Sequence, residues 1–424
     1  MPGPRVRSLV FVLIFGFAVA SYLQRQGLGI AAGRMMPELG LTQQQIGWIM
    51  SAFLVVYAAC QVPGALFGQR FGARLTLTLI GILAVGASVL TAAAPLIATG
   101  GLLFVTLLVA RSLLGVAHGG LYPVEAGTVR HWYPVARWSS MLGLLVTGLW
   151  TGAALASPLV ATLMEAYGWQ AALILTSVPS LAFVLLWWFV ARDLPSQHPR
   201  VTPAELAELA GNPPYDAAAP LTTRRVGRVL GDSQVLLLTL SYLVMNYVFY
   251  LVTFWSFLYL VQDRKLSVLE SGWLGALPFV VAGFAAATGG RVADRLRLRF
   301  GPRTGARIVP LVTLPLASVF LYLTVSLGSP YWAIAALCLG FACVEFNEGN
   351  YWGVAMRLAP NDSMAATAVL NTGGNLGGVI GTPIIAALTA AQGGWGVVFA
   401  TGAVTSVVAA LLWLRIDAGR GVRQ

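Results

Sequence analysis

Charge is what this chain lacks most. Only 10% of its 424 residues are charged, against about a quarter in ordinary soluble domains, while 58% are hydrophobic and the mean hydropathy is +0.78. So few polar side chains cannot coat a water-exposed surface of this size, so an integral membrane protein is implied. Lysine is nearly missing, with Lys265 alone beside 25 arginines. Cysteine and histidine number three each, and Cys60, Cys338 and Cys343 sit in apolar runs without metal-ligand spacing. There is no phosphate-cradling glycine loop with a lysine, no nucleophile elbow and no metal-spaced His/Cys group. These absences exclude the common catalytic constellations. No enzyme activity, no cofactor and no metal is expected.

What is present is length and apolarity. Runs of the ~20 residues that a helix needs to cross hydrocarbon recur near 8–31, 46–67, 75–97, 100–122, 139–164, 170–191, 235–261, 270–292, 306–327, 331–356, 363–390 and 394–415. They alternate too weakly for barrel strands. The fold class expected is therefore an all-α integral membrane protein of twelve transmembrane helices.

The net charge of +11 follows from topology. With a cytoplasmic N-terminus, the inner loops and termini collect 21 of the 26 basic residues and the outer side only Arg34, Arg264 and Lys265; Arg25 and Arg111 fall inside spans. That asymmetry places both termini in the cytoplasm and leaves no case for nucleic-acid binding. Arg5, Arg7, the first apolar run and "AVA" before Ser21 imitate a signal peptide. An internal repeat argues for keeping that run as a span.

The repeat runs at one offset of 225 residues. "IGWIMSAFLVVYAACQVPGALFGQRFG", from Ile46, aligns without a gap on "SGWLGALPFVVAGFAAATGGRVADRLR", from Ser271. Thr147, Gly148, Gly152 and Pro158 fall on Thr372, Gly373, Gly377 and Pro383, and Tyr22 falls on Tyr247. Span 1 thus pairs with span 7. Two parallel six-helix halves, 1–191 and 235–424, imply a pseudo-twofold axis along the membrane normal and a site near the midplane between them. The Pro-, Gly- and charge-rich segment 192–234 reads as a cytoplasmic linker, with Thr202, Pro203 and Glu205 as N-cap, N1 and N3 of a short helix.

"GQRFGAR" and "ADRLRLR" resemble two worn copies of the G-x-x-x-D-R-x-G loop signature of the major facilitator superfamily. More narrowly, "ARSLLGVAHGGLYP", "SPLVATLMEAYGWQ", "RDLPSQHPRVTPAELAEL" and "NTGGNLGGVIGTPIIAAL" resemble the anion:cation symporter family, which includes carriers of galactonate, hexuronates, sialic acid and glutamate. The resemblance covers nearly the whole chain. It implies the major facilitator fold and secondary transport.

An arginine at the bilayer centre costs roughly 2.5–3.5 kcal/mol on insertion scales, so it persists where it faces a bundle interior and meets opposite charge. Arg111 lies mid-span, and Gly115, His118 and Tyr122 continue its helix face; Arg25 shares a face with Tyr22 and Gly29. Guanidinium forks pair with carboxylates through two parallel hydrogen bonds. Two arginines and phenols around one cavity therefore suit an organic anion. The resemblance adds that the arginines at both positions and the tyrosine at Tyr22 line or support the anion site. It also matches Tyr57 to a further pocket tyrosine, and Asn371 and Asn375 to a stretch that supplies a polar contact. The competing structural reading gives Arg111 an ion pair with Glu125 or Glu345 and gives the asparagines a packing role.

Proton-coupled members of that family carry an acid just before the span 1 arginine and another seven residues after the span 4 arginine. Gln24 and His118 stand there instead. An imidazole with a reference pKa of ~6.5 can replace a proton carrier or serve as a neutral helix contact. Acidity reappears in "CVEFNEGNYWG", where Glu345 and Glu348, one turn apart, share a face with Trp352, a further substrate contact. Coupling or gating is expected of Gln24, His118, Glu345 and Glu348. Asp294 and Arg295, with Arg291, are expected to form a cytoplasmic latch; Gln69 replaces the aspartate in the first half, so that copy is weaker or rebuilt through Arg70 and Arg74.

The resulting expectation is a monomeric carrier that moves a small organic anion by alternating access, with protons as the candidate co-substrate. The excess of arginine over lysine points to a GC-rich bacterial genome and an inner membrane. Two alternatives stay open: an exporter of amphipathic or cationic drugs served by Glu345, Glu348, Trp352 and Trp255, and a non-transporting membrane sensor that keeps the fold.

Overall fold

Backbone amides in hydrocarbon must be bonded internally, and a helix does so within one segment. The computed structural model describes residues 6–213, 223–390 and 394–420, and no strand occurs among them. Part of the expected linker, 214–222, lies outside the described residues. In chain order the helices are α1 (Val6–Leu39), α2 (Gln43–Phe71), α3 (Ala73–Ile97), α4 (Gly100–Gly119), α5 (Leu121–Trp132), α6 (Trp138–Val190) and α7 (Pro203–Ala207). They continue with α8 (Thr223–Gly231), α9 (Ser233–Gln262), α10 (Val268–Ser326), α11 (Pro330–Glu345), α12 (Glu348–Leu358), α13 (Ser363–Ala390) and α14 (Gly394–Leu412).

Nine helical stretches among the described residues are long and apolar enough to cross a membrane. Two of them, Val135–Val190 and Trp273–Ser326, would each run about 80 Å, against a hydrocarbon core of about 30 Å. Each breaks at a glycine whose positive φ a helix does not use, Gly168 at 83° and Gly301 at 80°. Each is therefore a pair of spans. With the 28-residue α13, the expected twelve are accounted for.

The repeat is visible in structural detail. α2 opens on a capping box between Thr42 and Gln45, and α10 on one between Ser267 and Glu270, 225 residues on. Spans 4 and 10, read as continuous from hydropathy, are both interrupted, within two residues of the same repeat position: α4 gives way to α5 at Gly120, and α11 to α12 at Phe346–Asn347. Close approach accompanies both breaks. A Cβ on Gly64 would stand 2.6 Å from the Gly120 Cα, and a Cβ on Gly289, its repeat partner, would collide with the Phe346 backbone.

The chain clusters into two compact units. The first holds the chain up to Pro134 together with Gly148–Asn212. Its core includes Leu28, Ala31, Met35, Ile49, Leu107 and Trp169. Trp169 Nε1 and Gln170 Nε2 donate to the Glu38 carboxylate at 2.8 and 3.0 Å, fastening the end of α1 beyond the Gly168 turn. The linker helix α7 carries its expected capping box, and Glu208 just after it pairs with Arg7 at 2.6 Å. The second unit holds the chain from α8 onward and also the short segment Val135–Thr147.

Candidate functional site

In the first unit Arg25 and Arg111 converge on one phenylalanine. The Arg25 guanidinium lies 5.3 Å from each of the Tyr22, Phe53 and Tyr57 ring centroids, and that of Arg111 lies 5.2 Å from Phe53. Phe53 stacks on Tyr57 and meets His118 edge-on, so α1, α2 and α4 each contribute to the cluster. Arg25 Nη1 also donates to Tyr22 Oη at 3.4 Å. The three rings are buried, whereas Arg25 is only half-buried. Of the two guanidinium groups it is the more exposed.

Arg111 is bound to the backbone of α1. Its Nη2 donates to the Arg25 carbonyl at 3.1 Å and its Nη1 to the Gln24 carbonyl at 3.5 Å, so its fork grips α1. The alternative ion pair with Glu125 is not made; neither Glu125 oxygen has a hydrogen-bond partner among the described residues. Arg111 Nε and Gln24 Nε2, both buried without a hydrogen-bond partner among the described residues, line a small cavity with Ser88, Thr91 and Thr176. The two guanidinium carbons are at most about 10.5 Å apart, the two ring distances placed end to end. At an effective dielectric of about 20, two unit charges at that separation repel by about 1.5 kcal/mol. An anion bound between them would relieve this.

In the second unit the expected residues form a separate polar cluster. Glu348 Oε2 accepts from Tyr242 Oη at 2.9 Å and from Trp352 Nε1 at 3.1 Å. Trp352 thus serves the carboxylate one turn before it. Asn375 Oδ1 accepts from Tyr250 Oη at 2.8 Å, and Asn375 Nδ2 donates to the Asn371 carbonyl at 2.7 Å, so Asn375 ties α13 to α9. Glu345 is buried at the end of α11, one residue before the break.

The loop signature is rearranged. Asp294 pairs with Arg297 at 2.5 Å and Arg357 at 3.4 Å, and its other oxygen accepts from the Ser140 N–H and hydroxyl, both at 2.6 Å. Arg295 is exposed instead. Arg297 also donates to Ser139 and, at 2.6 Å, to Asn350 Oδ1; Arg357 donates to the Val135 carbonyl at 2.5 Å. This cluster holds the start of α6 to α10 and α12. In the first half Arg74 takes the anchoring role, stacking 4.4 Å from Trp188 and donating to its carbonyl, while its own N–H donates to Asp193 at 2.8 Å.

A family model described as Major Facilitator Superfamily matches residues 14–382. The chain belongs to that superfamily. It is 28% identical over 385 residues to the probable sulfoacetate transporter of Cupriavidus necator, covering 90% of this chain and 86% of that one. It is 28% identical over 389 residues to the D-galactonate transporter of Escherichia coli, covering 89% and 88%. Among solved structures, the proton:xylose symporter bound to 6-bromo-6-deoxy-D-glucose superposes with a TM-score of 0.73 at 13% identity, over 98% of each chain. That likeness carries the fold alone. This facilitator is an integral membrane transporter of a small molecule and not an enzyme.

Phe53, the ring shared by both arginines, was not singled out from sequence, because an apolar residue one turn before Tyr57 reads as core. Tyr242, the donor to Glu348, was missed for a similar reason. Arg297 had a readable signal: it stands three residues after Asp294, the spacing of helical neighbours.

Proposed function

We propose that this facilitator moves a small organic anion by alternating access, with the half-buried Arg25 meeting the carboxylate and Arg111 holding Arg25 in place while adding its own field. The observation that carries the reading is the sharing of Phe53 by two guanidinium groups in an otherwise apolar bundle. Like charges are costly there unless an anion is a regular occupant. Tyr22 and Tyr57 shape the cage, and His118 buttresses Phe53. The relatives carrying sulfoacetate and D-galactonate support a carboxylate- or sulfonate-bearing solute.

In this reading 1–191 and 235–424 rock about the midplane, and the Asp294–Arg297–Arg357 cluster forms and breaks during the cycle. Asn371, Asn375 and Trp352 bring polar groups from the second half, and Glu345 and Glu348 tune its charge. In this reading the carrier works as a monomer in a bacterial inner membrane, and the distribution of arginine between loops supports cytoplasmic termini. A cation exporter would centre on Glu348, but one oxygen of that carboxylate already takes two internal donors. Thermal-shift screening of detergent-purified protein against D-galactonate, galacturonate, sulfoacetate and cationic drugs tests the choice, since a ligand that binds the folded state raises apparent stability. Stabilisation by an anion that disappears in Arg25→Ala supports the reading; stabilisation by cations alone refutes it.

A further inference from the structure

The two repeats differ at one buried position in a way that points to a second function of the first unit. At the offset of 225, Glu125 in α5 corresponds to Asn350 in α12. Asn350 is fully used: its Oδ1 accepts from Arg297 Nη1 at 2.6 Å and its Nδ2 donates to the Ala306 carbonyl at 2.8 Å. The residue matching Arg297 in the first repeat is Gly72, at φ 87° between α2 and α3. The first repeat therefore has a carboxyl where the second has an amide, and a glycine where the second has the arginine that anchors it. Glu125 is 0% exposed. An ionised carboxylate taken out of water without a partner costs several kcal/mol, a cost that a bound proton removes.

α5 packs against α1, α2, α3 and α4. α1 brings no ionisable side chain between Ser8 and Ser21, α3 none between Leu75 and Ile97, and α6 none over 138–164 or 168–190. α2 offers Tyr57, Cys60 and, at its end, the exposed Arg70; α4 offers Arg111, committed to α1 carbonyls, and His118, set against Phe53. On α5 itself are Tyr122, Arg130 and His131. Tyr122 is the link: its hydroxyl lies 3.1 Å from Ser21 Oγ and interacts electrostatically with Tyr22, Tyr57 and Glu125. Tyr122 stands three residues before Glu125 on α5, one helical turn away, and so joins the helix of Glu125 to α1.

We propose that Glu125 is the proton-carrying group of the transport cycle, binding a proton together with the anion and releasing it to water in the opposite-facing state. The proposal rests on the anion-carrier reading. An ionised Glu125 would compete with the solute for the field of Arg25 and Arg111, and protonation removes that competitor. Anion and proton then favour each other's binding by the same factor, which is the condition for symport. The only bond made and broken is the carboxyl O–H. Glu125 does not touch the anion.

The test uses the full-length protein in proteoliposomes with radiolabelled D-galactonate, galacturonate and sulfoacetate in parallel. Counterflow reports exchange, and uptake against a gradient under an inward proton gradient reports coupling. Wild type is expected to do both. Glu125→Gln is expected to keep counterflow within about twofold, independent of pH, and to lose at least tenfold in proton-driven accumulation. Glu125→Asp should restore accumulation. Undiminished accumulation by Glu125→Gln overturns the proposal, as does loss of counterflow and accumulation together in both variants. Wild-type counterflow without proton-driven accumulation overturns the coupling proposal alone. Absence of counterflow with all three anions overturns the carrier reading and this proposal with it.

Discussion

Arg25 offers a perturbation whose magnitude follows from its surroundings. A hydrogen bond between charged partners contributes about 1.5–3 kcal/mol, and each 1.4 kcal/mol is tenfold in affinity. Arg25→Gln removes the charge and the fork, a loss of about 3 kcal/mol, so the dissociation constant of the bound anion should rise roughly a hundredfold. Arg25→Lys keeps the charge but offers no parallel pair of donors, a loss of about 1.5 kcal/mol and roughly tenfold. Stability should behave otherwise. The three ring contacts contribute about 0.5–1 kcal/mol each, while removing Arg25 also removes a repulsion with Arg111 of about 1.5 kcal/mol. These roughly offset, so the ligand-free melting temperature should stay within a few degrees of wild type. Titration calorimetry in detergent with D-galactonate, galacturonate and sulfoacetate measures the first effect and thermal unfolding the second. An Arg25→Gln protein that melts normally and binds within threefold of wild type would refute the reasoning.

Three further outcomes are expected. Gly72→Ala should lower the melting temperature by the equivalent of roughly 3 kcal/mol, because φ 87° with ψ 159° is a glycine conformation and the new Cβ would meet the Asp193 carboxylate that accepts the Arg74 N–H; an unchanged melting temperature would contradict the placement of that loop. Arg297→Leu leaves the buried Asp294 short of a partner and should cost about 3 kcal/mol, read in the same assay; a more stable variant would contradict it. Glu270 is held below its ordinary 4.5 by the Ser267 hydroxyl and N–H. A depressed folded value adds stability above 4.5 that is lost as pH falls through the lower one. The stability difference between wild type and Glu270→Gln should therefore shrink in acid, and a difference that grows would contradict the capping role.

Much of this fold was legible because its solvent is simple. Twelve apolar runs, a loop charge asymmetry and a repeat at one offset needed no tertiary knowledge. The interruptions of spans 4 and 10 were not legible, since Gly120 and Phe346 leave the hydropathy undisturbed. The cost of burying charge marks Arg25 and Arg111 in the sequence, and both meet at Phe53. The bonds of Arg111 to backbone carbonyls are not legible, because a carbonyl is present at every position and leaves no mark in sequence. Arg295 drew attention through the loop signature, although helical spacing favoured Arg297. Glu125 reads from sequence as a counter-ion, and its isolation follows from a glycine at 72 standing where the second repeat has Arg297.

The central claim is that a solute's negative charge is what Arg25 and Arg111 receive during turnover. Counterflow of radiolabelled anions by reconstituted wild type and Arg25→Gln, side by side at equal protein content, tests it most directly. The account predicts exchange of at least one of D-galactonate, galacturonate and sulfoacetate by wild type and its loss in the variant. Equal exchange by both proteins, or exchange of cations alone, would contradict it.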